Sequence, residues 1–238
     1  MLFYYKQHPG KKWFASNLLA LIGRIASVLL YKVKIISTPD LKIDGPVLIL
    51  AKHSIEIDIP LGYYAMLVAI GRHAWCIMKA SLARSRYLGF YWKIGGIPLD
   101  RDKPEKSKHM LVYAKKVLYD LDESGLKKGN GNVMVLFPEE TTYWQTMGEG
   151  QAAGFRFIVG KPAIPLNVVC AGFRYTKGFI RTNLEIEFGP IRQFTKDDDH
   201  ASFLHDRMVE IAELSNLPYP FSQPKSRAKV LTEASASN

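Results

Sequence analysis

Residues 51–60, Ala-Lys-His-Ser-Ile-Glu-Ile-Asp-Ile-Pro, place His53 five positions before Asp58, directly after the apolar run Gly-Pro-Val-Leu-Ile-Leu. If the chain turns at the end of that run, the carboxylate can reach back to one imidazole nitrogen, fix the tautomer and favour the imidazolium when the other nitrogen takes a proton. That is the arrangement of a general base, although the same spacing on its own more often belongs to a surface or capping pair. Two further polar clusters follow apolar runs. Asp100 and Arg101 come after Gly-Gly-Ile-Pro-Leu, and a guanidinium is shaped to hold a phosphate by two parallel hydrogen bonds. It can equally pair with Asp100 or Asp102 on a solvated loop. Glu139 follows Leu-Phe-Pro, where Pro138 fixes the backbone and would hold the carboxylate at a sheet edge to bind a hydroxyl or order the loop. The simpler alternative for Glu139 and Glu140 is a pair of helix N-terminal charges.

These clusters need elements to hold them. Residues 32–38 alternate with period two and predict a strand, and a second strand ends near His53. A helix begun by Pro60 follows, then a strand in His-Ala-Trp-Cys-Ile-Met-Lys-Ala-Ser-Leu (73–82) that gives way to a helical segment around 81–93, and a short strand before Asp100. Residues 103–124 carry Met110, Val117, Leu118 and Leu121 at helical spacing. Further strands are expected at 133–140, over Lys-Pro-Ala-Ile-Pro-Leu-Asn-Val-Val-Cys-Ala-Gly-Phe (161–173) and over Leu184–Ile191, with a last helix at 202–216 capped by a serine. Strands alternating with helices predict one α/β domain, a mixed sheet flanked by helices, with an N-terminal membrane-associating helical segment. The expected divisions are that segment with its lead-in strand at 1–38, the main domain at 39–221 and a loose tail at 222–238. In such sheets ligands bind beyond the carboxyl ends of strands. His53, Arg101 and Glu139 should therefore meet on one rim.

The chain has 238 residues, 47% of them hydrophobic, enough for a sizeable core, and a formal charge of +10. No acidic residue occurs in residues 1–38, a distribution that suits anionic lipid, nucleic acid or a phosphorylated substrate. Cys76 and Cys170 both lie in apolar runs and read as small buried hydrophobes in a reducing compartment. Residues 13–31 are apolar over nearly a bilayer's width but are interrupted by Asn17 and Arg24, so an interfacial, a spanning and a plain core helix are all compatible. Phe3, Tyr4, Tyr5 and Trp13 beside Lys11 and Lys12 favour membrane contact.

The order and spacing of the polar blocks resemble the glycerolipid acyltransferase family, the 1-acylglycerol-3-phosphate acyltransferases and related lysophospholipid acyltransferases. His-Ser-Ile-Glu-Ile-Asp matches the family's His-x4-Asp signature, and Gly-Gly-Ile-Pro-Leu-Asp-Arg matches its second block with Arg101 in the phosphate-binding position. Phe-Pro-Glu-Glu-Thr-Thr matches the third block, usually Phe-Pro-Glu-Gly-Thr-Arg, and Lys-Pro-Ala-Ile-Pro-Leu the fourth, with Ile164 and Pro165 in place. Lys79 stands where relatives often carry a lysine. The resemblance runs from about Val47 to Pro165. It implies that His53, polarised by Asp58, deprotonates a lysophospholipid hydroxyl that attacks the thioester of acyl-CoA or acyl carrier protein, with no covalent acyl-enzyme, no metal and no cofactor. Arg101, with Lys79, would hold the acceptor's phosphate and Glu139 would bind its glycerol. Thr141 and Thr142 complete the acceptor-binding set, and Glu56 is not needed by the pattern. A membrane-associated enzyme of phospholipid biosynthesis on the cytoplasmic side is implied, with no nucleic-acid partner.

Glu140 and Thr142 depart from the family pattern: a glycine and an arginine are missing and a carboxylate is present, which should weaken a dianionic headgroup. Other chemistries fit less well. No Gly-x-Ser-x-Gly nucleophile elbow is present. Gly148–Gly154 reads as a flexible substrate loop rather than a dinucleotide fingerprint. A metal site from His53, Glu56, Asp58 and His73 lacks His-x3-His spacing and thiolates. A basic, noncatalytic membrane or nucleic-acid binder would explain the charge, but not the polar groups after three strands.

Overall fold

Val47–Ala51 (β2) contains no polar side chain and is buried along its whole length, the pattern of a strand covered on both faces. The computed structural model describes residues 8–83, 89–100, 104–122, 124–126 and 128–223. β2 lies inside an eight-stranded sheet built with Tyr31–Ile36 (β1), Ala74–Lys79 (β3), Gly96–Leu99 (β4), Val133–Leu136 (β5), Leu166–Thr176 (β6), Thr182–Phe188 (β7) and Arg192–Phe194 (β8). The order is β1-β7-β6-β2-β5-β3-β4, with β8 also beside β6. β6 runs antiparallel to β7 and β8, while β2, β3, β4 and β5 pair in parallel. This is the mixed sheet the sequence predicts. Between β7 and β8 the register slips: Ala171 faces Phe188 and Val168 faces Arg192. Three residues, 189–191, therefore oppose two, 169 and 170, a bulge that bends the strand.

Side chains alternate between two cores. Leu48 and Leu50 pack with Trp92, Leu118, Phe155 and Met208, under Pro104–Tyr119 (α4), Ala152–Val159 (α5) and His200–Ser215 (α6). Val47, Ile49 and Ala51 pack with Leu61, Ala65, Val169 and Ile186, under Trp13–Leu29 (α1) and Asp58–Ile70 (α2). Each fully buried aliphatic side chain contributes on the order of 1.5–3 kcal/mol. α1 crosses α2 closely: a Cβ built on Gly23 would lie 2.1 Å from the Pro60 carbonyl oxygen, so only glycine fits there.

The opposite face of α1 leaves Trp13, Phe14, Leu21, Ile25, Val28 and Leu29 exposed. At 1.5 Å per residue its 17 residues span about 25 Å. No described helix is long and apolar enough to cross a membrane. Phe3, Tyr4 and Tyr5 lie outside the described residues, as does most of the expected tail.

Lys11 is not the surface cation that the sequence suggests. Its ammonium donates to the His73 carbonyl at 2.7 Å and lies 5.2 Å from the Trp75 ring centroid. Burial, aided by Arg72, lowers its pKa from 10.5 to about 8. Between those two values the folded state has released a proton that the unfolded chain still binds, so stability from this group rises with pH across the window. Urea midpoints of wild type and Lys11→Met should therefore diverge from about pH 8 to 10.5, wild type gaining relative to the variant. A difference that stays flat would refute the shift. Cys76 and Cys170 are free thiols, burial pushing the first up to about 12 and the second well above its ordinary range.

Several boundaries differ from expectation. α2 starts at Asp58, two residues before Pro60. The helical segment around 81–93 is a short 3-10 turn at Ala80–Ala83 and one turn at Phe90–Lys93 (α3), with 84–88 outside the described residues. The expected loop at 148–154 gives way to α5 at Ala152, because Phe155, Ile158 and Val159 bury one helical face. β6 begins at Leu166, so Ile164 and Pro165 precede the strand. α6 is capped by Asp199, whose carboxylate accepts the Ser202 N–H at 2.9 Å; the serine is its third helical residue.

Candidate active site

The four parallel strands finish along one edge of the sheet. His53 follows β2, Glu139 follows β5, Lys79 ends β3 and Asp100 follows β4. The three polar blocks thus share a rim, and Lys79 is level with Leu99 in the register. Arg101 lies outside the described residues. Lys79, Thr141 and Thr142 are exposed on this rim.

His53 and Asp58 meet across the turn between β2 and α2, with Nδ1 3.4 Å from Oδ2. The chain folds so that the Asp58 carboxylate closes its own turn: Oδ2 accepts the Ser54 N–H at 2.6 Å and the Ile55 N–H at 2.9 Å. Standing in the first turn of α2, it also meets the positive end of the helix. Oδ1 accepts a hydrogen bond from the Tyr175 hydroxyl, delivered from β6 across 117 residues of sequence. Burial and the Asp58 charge push the Tyr175 phenol well above its ordinary range, so it remains a donor. The carboxylate is buried and cannot swing away from the imidazole. The imidazole stacks on Phe137 with centroids 4.5 Å apart. Its Nε2 is the nitrogen turned from the carboxylate.

Directly under this pair lies a buried cation that sequence reasoning passed over. Lys52, the residue after β2, is fully buried and its ammonium contacts both Glu139 oxygens, at 2.9 and 3.1 Å. It also donates to the Tyr143 carbonyl at 2.8 Å and the His53 carbonyl at 3.3 Å. Burial lowers its pKa, and the Glu139 carboxylate works against that. Glu139 in turn accepts the Gly148 N–H at 2.6 Å, while the Tyr143 N–H donates to the His53 carbonyl at 3.0 Å. The pair stitches residues 137–148 to the turn that carries His53. Glu139 therefore points inward, to Lys52 and the Gly148 N–H.

Glu140 has φ of 59°, left-handed backbone that costs a non-glycine residue about 1 kcal/mol or more. The conformation accounts for the glycine found at this place in the family pattern. Beside Asp58 an apolar hollow lined by Ile59, Gly62, Met66, Val135, Phe137 and Phe173 has about 30 Å³ of free volume, room for no more than about two or three water-sized molecules. Among the described residues no group of three or more His, Cys, Asp or Glu side chains could hold a metal ion.

Lys52 and Tyr175 are the members of this site that the sequence reading missed. A lysine directly after a wholly apolar strand was a visible signal for the first. Nothing local marks Tyr175.

A family model described as Acyltransferase matches residues 32–166. Among solved structures, the chain is similar to the crystal structure of the 1-acyl-sn-glycerophosphate (LPA) acyltransferase PlsC from Thermotoga maritima, with a TM-score of 0.56 at 15% identity, covering 84% of this chain and 79% of that one. That likeness is one of fold. No curated protein matches the chain.

Proposed function

The chain belongs to the acyltransferase family, and from that premise we propose that it moves a fatty acyl group from acyl-CoA or acyl carrier protein to the hydroxyl of a lysophospholipid. The observation that carries the proposal is the His53–Asp58 pair, 3.4 Å apart and locked by Tyr175 and two backbone N–H groups at the rim where the parallel strands end. Asp58 holds Nδ1 protonated, leaving Nε2 to accept the proton of the acceptor hydroxyl. The hydroxyl oxygen bonds to the thioester carbonyl carbon, the C–S bond breaks, and the imidazolium returns its proton to the departing thiolate. The proposal needs neither an acyl-enzyme nor a cofactor.

β3 lies two strands from β2, about 10 Å at ordinary strand spacing. A long cationic side chain such as Lys79 suits that gap, reaching from the rim toward a phosphate while the hydroxyl sits at His53. Arg101 is proposed for the same phosphate. Thr141 and Thr142 border the headgroup, and Glu139 acts as a positioning residue through Lys52. The exposed apolar face of α1 supports an interfacial helix at a membrane, next to acceptor and product; the cytoplasmic side is proposed from the family resemblance alone.

The test is an acylation assay over a lysolipid panel with both donor types. Transfer to at least one lysolipid is expected, and none with either donor would overturn the reading. Replacing Glu140 with glycine and Thr142 with arginine together removes an anion and adds a cation at the rim. We expect the preference for lysophosphatidate over zwitterionic lysolipids to rise about threefold to tenfold, the worth of roughly 1 kcal/mol at an exposed site. Unchanged selectivity would show that this block does not set headgroup choice.

A further inference from the structure

β6 and β7 run on past the sheet's middle into a hairpin whose connection, residues 177–181, reads Lys-Gly-Phe-Ile-Arg. Phe179 is 104% exposed and Ile180 87%. Two adjacent large apolar side chains at a loop tip, touching almost nothing, are the reverse of what water selects. Lys177 and Arg181 flank them, both exposed. No acidic residue occurs from Arg174 to Leu184. The tip is anchored beside α1, because the Arg181 guanidinium donates to the Val28 carbonyl and Thr182 pairs with Tyr31. At that end of α1, Val28, Leu29 and Leu30 are themselves 59–66% exposed. Apolar tip and apolar helix end therefore form one continuous surface, edged by Lys177, Arg181 and the exposed Lys32. The base of the same hairpin is Tyr175, which holds Asp58.

We propose that the β6–β7 tip is a second membrane-inserting element: Phe179 and Ile180 enter the boundary between headgroups and acyl chains beside the end of α1, and Lys177 and Arg181 engage lipid phosphates. Charge selects a bilayer with anionic lipid as the occupant, since the whole surface is cationic at its edge and carries no acid within the tip. Two attachment points, a helix lying flat and a hairpin standing beside it, hold rotation about the helix axis more firmly than the apolar face of the helix does alone. The rim bearing His53 is thereby held at a set angle to the membrane. The inference rests on the proposed action at a membrane surface.

Binding of the full chain to sedimentable vesicles of phosphatidylcholine, with and without phosphatidylglycerol, tests it. Phe179→Ser with Ile180→Ser should weaken binding to both vesicle types on the order of tenfold to hundredfold. Lys177→Gln with Arg181→Gln should weaken binding only where phosphatidylglycerol is present, about tenfold. Both variants should keep their turnover on detergent-dispersed lysolipid. A fluorophore on Ile180→Cys, the native thiols being held protonated by burial, should shift to the blue on adding vesicles. If Leu21→Ser with Ile25→Ser abolishes binding while the tip variants bind as wild type and the fluorophore does not shift, the tip is not an insertion element, although the membrane reading stands. If wild type binds neither vesicle, that reading fails and takes this one with it. Loss of self-association in the tip variants, with vesicle binding intact, would instead mark a protein interface and overturn the proposal.

Discussion

His53→Ala is expected to lower kcat/KM for acyl transfer by about 10²–10⁴-fold, the ordinary worth of a positioned general base. An alcohol is almost wholly protonated at neutral pH, so its oxygen attacks a thioester usefully only as the proton leaves, and in the proposed reaction His53 is the group that takes it. The ring is anchored on one edge by Asp58 at 3.4 Å and on one face by Phe137, and its side chain is only 15% exposed. Truncating it removes no partner of the buried Lys52–Glu139 pair, because Lys52 and Tyr143 bond to the His53 backbone carbonyl. The variant should accordingly fold and bind vesicles as wild type does. Single-turnover acylation with purified variant and thermal melts together check this. A rate within threefold of wild type, about 0.7 kcal/mol of barrier, would remove His53 from the chemistry.

Lys52→Met should cost about 3–5 kcal/mol of stability, because it leaves Glu139 buried, charged and without its cation. For a chain of this length that is a fall in melting temperature of roughly 6–20 °C. The double variant, Lys52→Met with Glu139→Leu, removes the stranded charge and should recover part of the loss. Recovery stays incomplete, since the Gly148 N–H and the Tyr143 carbonyl both lose partners, each worth about 1–3 kcal/mol when buried unpaired. Urea unfolding of the two single variants and the double separates these contributions. A loss below about 1 kcal/mol for Lys52→Met would mean the pair behaves as a surface ion pair.

The rim was legible because each parallel strand is an unbroken apolar run ending in a polar block, and parallel strands must end on the same side. His53 and Asp58 were legible for the same reason: five residues across one turn leave few ways to be apart. Glu139 was legible as a residue of the rim but not in its direction. Pro138 and the apolar strand before it locate the backbone, whereas the inward turn of the side chain depends on Lys52, 87 residues earlier. Tyr175 depends on the pairing of β6 with β2, a tertiary fact with no local period. α5 was hidden by glycines at 148, 150 and 154, which read as a loop although three apolar residues at helical spacing follow. β8 is three residues long and separated from β7 only by a bulge, too short for alternation to register.

The partnership of β1 with β7 sets an order of events during synthesis. Lys34 and Glu185, side by side in the finished sheet, are 151 residues apart in the chain. At about 5–20 residues per second the ribosome takes on the order of ten to thirty seconds to supply β7 after β1 has emerged. Throughout that interval α1 is already made, with its outward apolar face needing no partner from the sheet, while β1 waits with an unpaired edge. If α1 lies on a bilayer as proposed, it would be free to settle there before the sheet closes, and the closing strand would bring the hairpin tip with it, so that the sheet would finish assembling against a surface its first helix already holds.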